Sequence, residues 1–355
     1  MSLSIAIVGL PNVGKSTLFN ALLKRQAALA ANYPFATIEP NVGIVPVPDD
    51  RLDKLAEIVN SNNIKPATVE FVDIAGLVRG ASKGEGLGNQ FLANIRECAV
   101  VCHVLRAFQN DDIIREGSVS PEEDLATVRT ELQLKDLETL EKQKEPKGKI
   151  EKVETEKWQA VLEFKKRLAA GENIGDLFPD VARELGLLTS KAELFVLNVG
   201  EEDLAKTEEL SKFWAEKLAV RVEQIVIMCN QVESEVASLG DEDATLYLAE
   251  LGLTKSGLER LNKAAYTTLG LQSFLTAGEK EVRAWTIKQG TFAPQAAGVI
   301  HTDFEKKFIK AKIASYDDFV AFAGWKGVKE AGKMRLEGKD YVTQEGDVVE
   351  FMIGS

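Results

Sequence analysis

The stretch Gly9-Leu10-Pro11-Asn12-Val13-Gly14-Lys15-Ser16 decides how the rest of the chain is interpreted, because it fits the pattern GxxxxGK[ST]. An apolar run at residues 5–8 precedes it, and residues 15–30 have the composition of a helix. A glycine-containing loop between a strand and a helix predicts backbone N–H groups that surround a phosphate chain. Lys15 would supply a positive charge to the β- and γ-phosphates, and the Ser16 hydroxyl would ligate Mg²⁺. The predicted nucleotide-binding residues of this loop are Asn12, Val13, Gly14, Lys15, Ser16 and Thr17.

Continuous apolar runs recur along the chain and predict the fold class. Runs separated by helical segments indicate a parallel sheet that is covered by helices on both faces. We therefore predict an α/β P-loop NTPase domain with a mostly parallel sheet. The further strand candidates lie at residues 69–73, 100–105, 194–197 and 225–228.

Two later elements strengthen the nucleotide prediction. Asp73-Ile74-Ala75-Gly76 follows an apolar strand and has the DxxG form of P-loop switches. In such switches the Asp holds the water shell of the magnesium ion and the Gly N–H senses the γ-phosphate. Thr37 lies in a loop between two prolines, where switches keep a threonine that closes on Mg²⁺. We predict Lys15, Asp73 and Gly76 as catalytic residues and Ser16 and Thr37 as metal ligands.

The nucleotide base is addressed by Asn198-Val199-Gly200-Glu201, which follows the strand at 194–197. Guanine-specific switches have NKxD here, and the Asp carboxylate accepts from the guanine N1–H and amino groups. In this chain the Lys is absent and the Asp is replaced by Glu201. Adenine has an acceptor at N1, which a carboxylate would repel, whereas the Asn198 amide can pair with N6 or N7. Asn198, Val199 and Glu201 are therefore predicted base-binding residues with ATP preferred over GTP; the alternative is that Asn198 and Glu201 only cap the next helix.

The alternation of strands and helices stops between about residues 120 and 185. Ser120-Pro121-Glu122-Glu123 has the form of a helix start, and Pro146-Lys147-Gly148 interrupts the helical pattern. We predict an inserted hairpin of two charged helices with a thin apolar seam, which is either a solvated extension or a partner-binding arm. The expected seam residues are Leu125, Val128, Leu132, Leu134, Leu137 and Leu140, then Trp158, Val161, Leu162 and Leu168.

The last part of the chain predicts a separate small α+β domain. Short β-like runs at 282–287, 310–313 and 348–353 lie among glycine-containing turns. The predicted domain organisation is thus a nucleotide-binding domain at 1–270, interrupted by the helical insertion at 120–185, and a C-terminal domain at 271–355.

Composition narrows the function classes. The chain has 355 residues, 45% of them hydrophobic and 28% charged, as in soluble globular proteins. Its net charge of −12 argues against whole-surface attraction to nucleic acid, so DNA is not an expected partner and RNA contact requires a local basic patch. Three cysteines predict no disulfide framework. The sequence has neither an apolar stretch of membrane-span length nor a signal peptide, and we expect a cytoplasmic protein without membrane contact.

These residues also resemble a known family. The quoted motifs closely resemble the Obg-related P-loop proteins, and specifically the YchF or Obg-like ATPase subfamily, over essentially the whole chain. The resemblance implies an inserted coiled coil at 120–185, a C-terminal β-grasp domain of the TGS type, and a slow, Mg²⁺-dependent ATPase linked to ribosomes and to translation or stress regulation. The supporting stretches are GLPNVGKS at 9–16, YPFATIEP at 33–40, FVDIAGLV at 71–78, GASKGEGLG at 80–88 and FLANIR at 91–96.

Two residues, Leu77 and Asn12, bear on the hydrolysis step. Leu77 stands where many switches have a glutamine that orients the attacking water, which resembles the Obg-related proteins with a hydrophobic residue there. Asn12 resembles the asparagine that helps hold K⁺ in cation-activated relatives, so K⁺ is a candidate second cofactor beside Mg²⁺. Asn12 could equally stabilise the loop alone. One alternative function is a nucleotide-gated binding module with negligible hydrolysis. Another is a protein that oligomerises through the coiled coil.

Two basic clusters suggest where a large anionic partner would bind. They lie in the helical insertion and in the C-terminal domain, and together they predict salt-sensitive, nucleotide-dependent binding to the ribosome, with ATP and ADP as the small-molecule partners. Either cluster alone would be an ordinary solvated face. Their members are Lys142, Lys144, Lys147, Lys149 and Lys152 in the first cluster and Lys306, Lys307, Lys310 and Lys312 in the second.

Overall fold

A computed structural model describes residues 4–30, 41–74, 87–108, 120–146 and 152–354. The chain forms two compact units. The first comprises Met1–Val45 and Glu70–Thr268, and the second comprises Pro46–Val69 and Leu269–Ser355. Among the described residues no helix is long and apolar enough to cross a membrane.

The first unit is built on a six-stranded sheet. Its strands are β1 (Ser4–Val8), β2 (Val42–Pro46), β4 (Thr68–Asp73), β5 (Val100–Arg106), β6 (Ala192–Asn198) and β7 (Ile225–Met228). The strand order is β2-β4-β1-β5-β6-β7, and the pairs from β4 to β7 are all parallel. Every residue of β1 and β5 is buried, which explains why these strands are predominantly apolar. The predicted α/β P-loop fold is confirmed.

The helices of this unit follow in chain order, and they include the predicted insertion. They are α1 (Lys15–Ala30), α3 (Leu87–Glu97), α4 (Pro121–Glu141), α5 (Lys152–Ala169), α6 (Pro179–Glu184), α7 (Thr207–Leu218), α8 (Asn230–Val236), α9 (Asp241–Glu250) and α10 (Gly257–Thr268). Within the described part of this unit, 3-10 helices lie at Glu201–Lys206 and Val222–Gln224.

The register of the parallel strands places their carboxyl ends along one edge of the sheet. Asp73 at the end of β4 lies opposite Ile7 of β1. Asn198 at the end of β6 pairs with Arg106 of β5 on one side and with Met228 of β7 on the other. This edge is where open α/β sheets bind ligands, so the motifs predicted from sequence converge there.

Helices α4 and α5 form the predicted helical insertion. The Ser120 side chain accepts a hydrogen bond from the Glu123 N–H at 3.3 Å, and Pro121 is the first residue of α4, as the sequence indicated. The helix ends at Glu141, before Pro146, and the turn at 147–151 lies outside the described residues. The buried seam comprises Leu125, Val128, Leu132 and Leu140 of α4 with Ala160, Val161, Phe164 and Leu168 of α5.

The prediction that ten residues form the buried seam is wrong for two of them. Leu134 and Leu162 are 43% and 50% exposed, because they lie off the narrow buried stripe of each helix. The seam is instead completed by Phe164, which is fully buried. A helix of this charge content buries only about one residue per turn, so an apolar residue beside the stripe stays in solvent.

Buried polar groups tie the insertion to the sheet. Asp136 of α4 is fully buried and accepts hydrogen bonds from the Leu188 and Thr189 N–H groups at 2.8 Å each and from the Thr189 hydroxyl at 2.7 Å. His103 of β5 is fully buried and contacts Glu193 Oε1 through Nε2 at 3.0 Å. Arg129 of α4 donates two hydrogen bonds to the same carboxylate. The hairpin is thus anchored by the buried Asp136 and by the half-buried ion pair between Arg129 and Glu193.

The second unit is an α+β domain around a mixed six-stranded sheet of order β11-β10-β12-β8-β9-β3. Its strands are β3 (Ile64–Lys65), β8 (Leu271–Gly278), β9 (Glu281–Lys288), β10 (Phe308–Ser315), β11 (Arg335–Glu337) and β12 (Asp347–Ile353). Its helices are α2 (Arg51–Val59), α11 (Ala293–Ile300), α12 (Thr302–Lys306), α13 (Tyr316–Ala321) and α14 (Trp325–Glu330).

A segment of the N-terminal half belongs to this second unit. Ile64 and Lys65 of β3 pair in parallel with Val282 and Arg283 of β9. Arg51 of α2 forms ion pairs with Asp49 at 2.7 Å and Glu345 at 2.6 Å. Residues 46–69 therefore join the C-terminal part, which the expected division at residues 270 and 271 did not include.

Candidate nucleotide-binding site

The loop between β1 and α1 has the backbone conformation that its glycines permit. Gly14 has φ +102°, and a Cβ there would come within 2.9 Å of Asn230 Nδ2. Gly9 has φ +155°, and a Cβ there would meet the Val104 carbonyl oxygen at 2.5 Å. Asn12 adopts φ 60°, a left-handed conformation that asparagine tolerates better than most residues. Both glycines are thus required by close approach as well as by backbone angle.

Lys15 is the first residue of α1 and is 8% exposed. Its Nζ donates to the Leu10 carbonyl oxygen at 2.7 Å, so the side chain folds back along the loop. Burial lowers the pKa of Lys15 from 10.5 to about 8, although the nearby Asp73 carboxylate acts in the opposite direction. Burial likewise raises the pKa of Asp73, and Lys15 opposes that shift. The two predicted catalytic groups therefore lie close enough to influence each other's ionisation.

One cavity of about 490 Å³ brings the phosphate and base motifs together. The predicted residues Asn12, Gly14, Lys15, Ser16, Thr17, Asn198, Val199 and Glu201 all line it. Val13 is the exception, because its side chain is buried beneath the loop and only its backbone is available. The structure also adds residues that the sequence did not single out as ligands: Phe108, Gly200, Glu202, Cys229, Asn230, Gln231 and Val232.

Asn198 is buried and holds the phosphate loop directly. Its Nδ2 donates to the Val13 carbonyl oxygen at 3.0 Å, and its Oδ1 accepts from the Asn230 N–H at 3.0 Å. Asn230 Nδ2 in turn donates to the Gly14 carbonyl oxygen at 3.0 Å. These contacts do not cap the next helix: Gly200 is the N-cap of the 3-10 helix, and exposed Glu201 is its first residue.

The Asn198 amide already accepts one hydrogen bond through Oδ1 and donates one through Nδ2. With Oδ1 engaged by Asn230, the amide has one N–H left to donate. A donor suits the N7 acceptor of a purine and does not suit the adenine N6 amino group. The remaining N–H can therefore serve N7, which is common to adenine and guanine, while the second lone pair of Oδ1 leaves the N6 alternative open.

Phe108 forms an aromatic wall of the cavity that the sequence did not predict. It lies two residues beyond the carboxyl end of β5, and the Arg106 guanidinium lies 4.5 Å from its ring centroid. An aromatic face can stack on a purine base. Its position just after a parallel strand was the signal that could have identified it, because ligands gather at this edge of the sheet.

Several predicted residues fall elsewhere. Thr37, Gly76 and Leu77 lie outside the described residues. Arg96 donates through Nη2 to the Thr139 hydroxyl at 2.8 Å and so links α3 to the helical insertion.

The donors around Lys15 fit a magnesium ion that is held mainly by phosphate and water. Ser16 is exposed in the cavity at the second position of α1, and Asp73 ends the neighbouring strand β4. Among the described residues there is no group of three or more His, Cys, Asp or Glu side chains that could hold a metal by itself. Mg²⁺ does not need one, since it keeps several waters and binds through few protein oxygens and the substrate phosphates.

Two family models match the chain. Residues 4–147 match a family described as "50S ribosome-binding GTPase". Residues 271–354 match the YchF-GTPase_C family, described as "Protein of unknown function (DUF933)".

Similar proteins cover nearly the whole length of the chain. A "Ribosome-binding ATPase YchF" of Bacillus subtilis (strain 168) is 48% identical, and one of Escherichia coli O157:H7 is 50% identical; both alignments cover 99% of each chain. An "Obg-like ATPase 1" of Xenopus laevis is 42% identical over 99% of this chain and 92% of its own. The solved "Structure of the Schizosaccharomyces pombe YchF GTPase" aligns with a TM-score of 0.86 at 35% identity, covering 99% of this chain and 97% of that one.

Proposed function

The chain belongs to the YchF family of Obg-like P-loop ATPases, and from that premise we propose that it is an ATP-dependent switch. It binds ATP with Mg²⁺, hydrolyses it slowly to ADP, and uses the two nucleotide states to change its affinity for the ribosome in the cytoplasm. The observation that carries this proposal is the single cavity in which the phosphate loop and residues 198–201 meet.

The chain's own residues suit phosphate binding. Lys15 Nζ has three N–H donors, so it can donate to the β- and γ-phosphates as well as to the Leu10 carbonyl oxygen. The loop N–H groups at the start of α1 donate to the phosphate oxygens. Ser16 and Thr37 would hold Mg²⁺, with Asp73 accepting from its water shell, and the ion would neutralise charge on the transferring phosphoryl group.

The proposed preference for ATP over GTP rests on the lack of a fixed carboxylate at the guanine-recognition position. A guanine-specific site fixes a carboxylate against N1–H and the amino group, whereas Glu201 is exposed to solvent and begins a 3-10 helix. Guanine would therefore lose hydrogen bonds to water without gaining a fixed acceptor. Phe108 can stack on either purine, so adenine and guanine are distinguished by contacts to the edge of the base.

Hydrolysis is expected to be slow, because Leu77 cannot orient a water molecule. Asn12 is exposed in the cavity at a position that suits a K⁺ ion beside the phosphates. We include K⁺ as a proposed activator of the same reaction.

Ribosome binding is proposed from the names of the similar proteins and from the charges of the helical insertion. Lys142, Lys144 and Lys152 are exposed at the end of the hairpin. The remaining members of that cluster, Lys147 and Lys149, lie outside the described residues.

Phosphate release tests the proposal. Wild-type protein with ATP and Mg²⁺ should release phosphate, faster in K⁺ than in Na⁺, and Lys15→Ala should abolish the release while the protein stays folded. A folded Lys15→Ala variant that hydrolyses ATP at the wild-type rate would show that this loop is not the active site.

A further inference from the structure

The side chain of Asn230 has a role in the cavity that the family motifs do not assign. It is the first residue of α8 and is 1% exposed. Its Nδ2 donates to the Gly14 carbonyl oxygen at 3.0 Å, and its backbone N–H donates to Asn198 Oδ1 at 3.0 Å. One residue thus holds the phosphate loop and the asparagine of the base motif at the same time.

The two amides together fix consecutive peptide groups of the loop. Asn198 holds the Val13 carbonyl and Asn230 holds the Gly14 carbonyl. In a trans peptide the C=O of one residue and the N–H of the next point in opposite directions. Holding these two carbonyls therefore fixes the directions of the Gly14 and Lys15 N–H groups, which face away from the amides.

The Gly14 carbonyl is also part of α1. It accepts from the Leu18 N–H at 3.0 Å, the first turn of that helix, so the Lys15 N–H points out of the helix at its amino end. Asn230 adds a second, lateral partner to the same oxygen. The contact is close, since a Cβ on Gly14 would lie 2.9 Å from Asn230 Nδ2.

Helix α8 also contacts α1 outside the cavity, through hydrogen bonds in which Asn230 takes no part. Lys24 of α1 donates through Nζ to the Ser234 hydroxyl and carbonyl oxygens at 3.1 Å each and to the Ser238 hydroxyl at 3.0 Å. Asn230 lies at the cavity end of the same helix pair. Loss of the Lys24 hydrogen bonds should leave the bond from Asn230 to Gly14 in place, so Lys24 serves as a control for α1–α8 packing alone.

We propose that Asn230 is a positioning residue for phosphoryl transfer: its amide fixes the Gly14–Lys15 peptide so that the Lys15 N–H points at the phosphates. The inference rests on the proposed ATPase function and deepens it. Asn230 acts on the phosphate end of the nucleotide and leaves the choice of base to other residues.

The test compares two substitutions at this position with a matched control. Asn230→Ala removes the amide and keeps the backbone N–H that orients Asn198. Asn230→Leu removes the donor but keeps a branched side chain of similar shape. Lys24→Ala loosens the α1–α8 contact away from the cavity. Steady-state kinetics with ATP and with GTP, and competitive inhibition by inorganic tripolyphosphate, are measured for each folded variant.

The expected result is a loss of about tenfold or more in kcat/KM for both nucleotides in Asn230→Ala and Asn230→Leu, because misdirected donors lose transition-state contacts. The inhibition constant of tripolyphosphate should rise in parallel, while the ATP-to-GTP ratio stays within about threefold and Lys24→Ala stays near wild type. If Asn230→Ala does not fold, the same measurements on Asn230→Leu test the proposal, because that variant also lacks the amide donor.

Three results would overturn the proposal: recovery of wild-type kinetics in Asn230→Leu, which would make the role one of space filling; an equal loss in Lys24→Ala; or a changed base preference. A wild-type protein without ATP hydrolysis would refute the proposed function instead. Tripolyphosphate binding would still report on Asn230, since an unchanged affinity in Asn230→Ala refutes the positioning role without any turnover.

Discussion

At the scale of single residues, the burial of Lys15 favours phosphate binding but destabilises the nucleotide-free protein. Its ammonium group is almost fully buried, and burial lowers its pKa from 10.5 to about 8. That shift corresponds to about 3 kcal/mol against the charged form below pH 8, and the hydrogen bond to the Leu10 carbonyl recovers about 1 kcal/mol. The loop is therefore arranged for phosphates at the expense of stability.

The first prediction is that Lys15→Met raises the stability of the nucleotide-free protein by about 2 kcal/mol at pH 7 and abolishes ATP binding. The cost of the charged lysine is fully present below pH 8 and disappears as the pH rises toward 10.5, so the gain should shrink over that interval. Urea unfolding at pH 7 and pH 9.5 measures both values. A less stable variant at pH 7 would mean that the buried charge is compensated.

The second prediction concerns the pH dependence of ATP affinity. Bound phosphates favour the charged lysine and raise its pKa again, so binding above pH 8 requires uptake of a proton. Affinity should be constant below pH 8 and fall above it, by at most about tenfold per pH step of one. Calorimetric titrations in two buffers of different ionisation enthalpy would detect the proton. Affinity that stays constant up to pH 9.5 would contradict this explanation.

The residues that the sequence identified are those whose role follows from local spacing. The phosphate loop is contiguous, so Lys15 and Ser16 could be placed from eight letters and a flanking strand. Asn230 could not, because its contact with Gly14 joins residues 216 positions apart and depends on the register of β6 and β7. The use of the Asn198 acceptor by the Asn230 N–H is hidden in the sequence for the same reason.

At the scale of elements, the helical insertion depends on few buried residues, and one of them is charged. Asp136 accepts two backbone N–H bonds and one hydroxyl bond from the segment that leads into β6. Burial raises its pKa, while those same hydrogen bonds and Arg96 oppose the shift. The sequence predicted the helix from its apolar stripe, but a lone Asp on a charged helix gave no sign that it was buried.

The third prediction is that Asp136→Ala destabilises the protein by about 3 kcal/mol, because it leaves the buried Leu188 N–H and the half-buried Thr189 N–H without acceptors. Nucleotide affinity should change little, since Asp136 does not line the nucleotide cavity. Asp180→Ala is the matched control on an exposed pair with Arg183 and should shift the unfolding midpoint hardly at all. Chemical denaturation followed by circular dichroism makes the comparison, and equal effects of the two substitutions would refute it.

At the scale of the whole molecule, the sequence predicted both sheets but not the whole membership of the second. Residues 46–69 enter it through a two-residue strand, which is too short to be recognised by alternation of apolar residues. The C-terminal strands were visible because each spans several alternating positions that face a buried core.

The fourth prediction is that neutralising Lys142, Lys144 and Lys152 weakens co-sedimentation with ribosomes without changing ATP affinity. The binding should fall as salt rises, because lysine–phosphate contacts release counterions. Neutralising the exposed Lys206, Lys212 and Lys263 is the matched control for total charge. Binding that is absent at low salt, or equal in the apo, ADP and non-hydrolysable ATP states, would contradict the switch.

A competition titration of one labelled nucleotide with unlabelled ATP and GTP measures the base preference of the site. ATP should displace the label at lower concentration than GTP in the wild-type protein. In the double variant Val199→Lys with Glu201→Asp the preference should shift toward GTP, since the restored carboxylate can accept from guanine N1–H and the amino group. A wild-type protein that prefers GTP by tenfold, about 1.4 kcal/mol, would contradict the account.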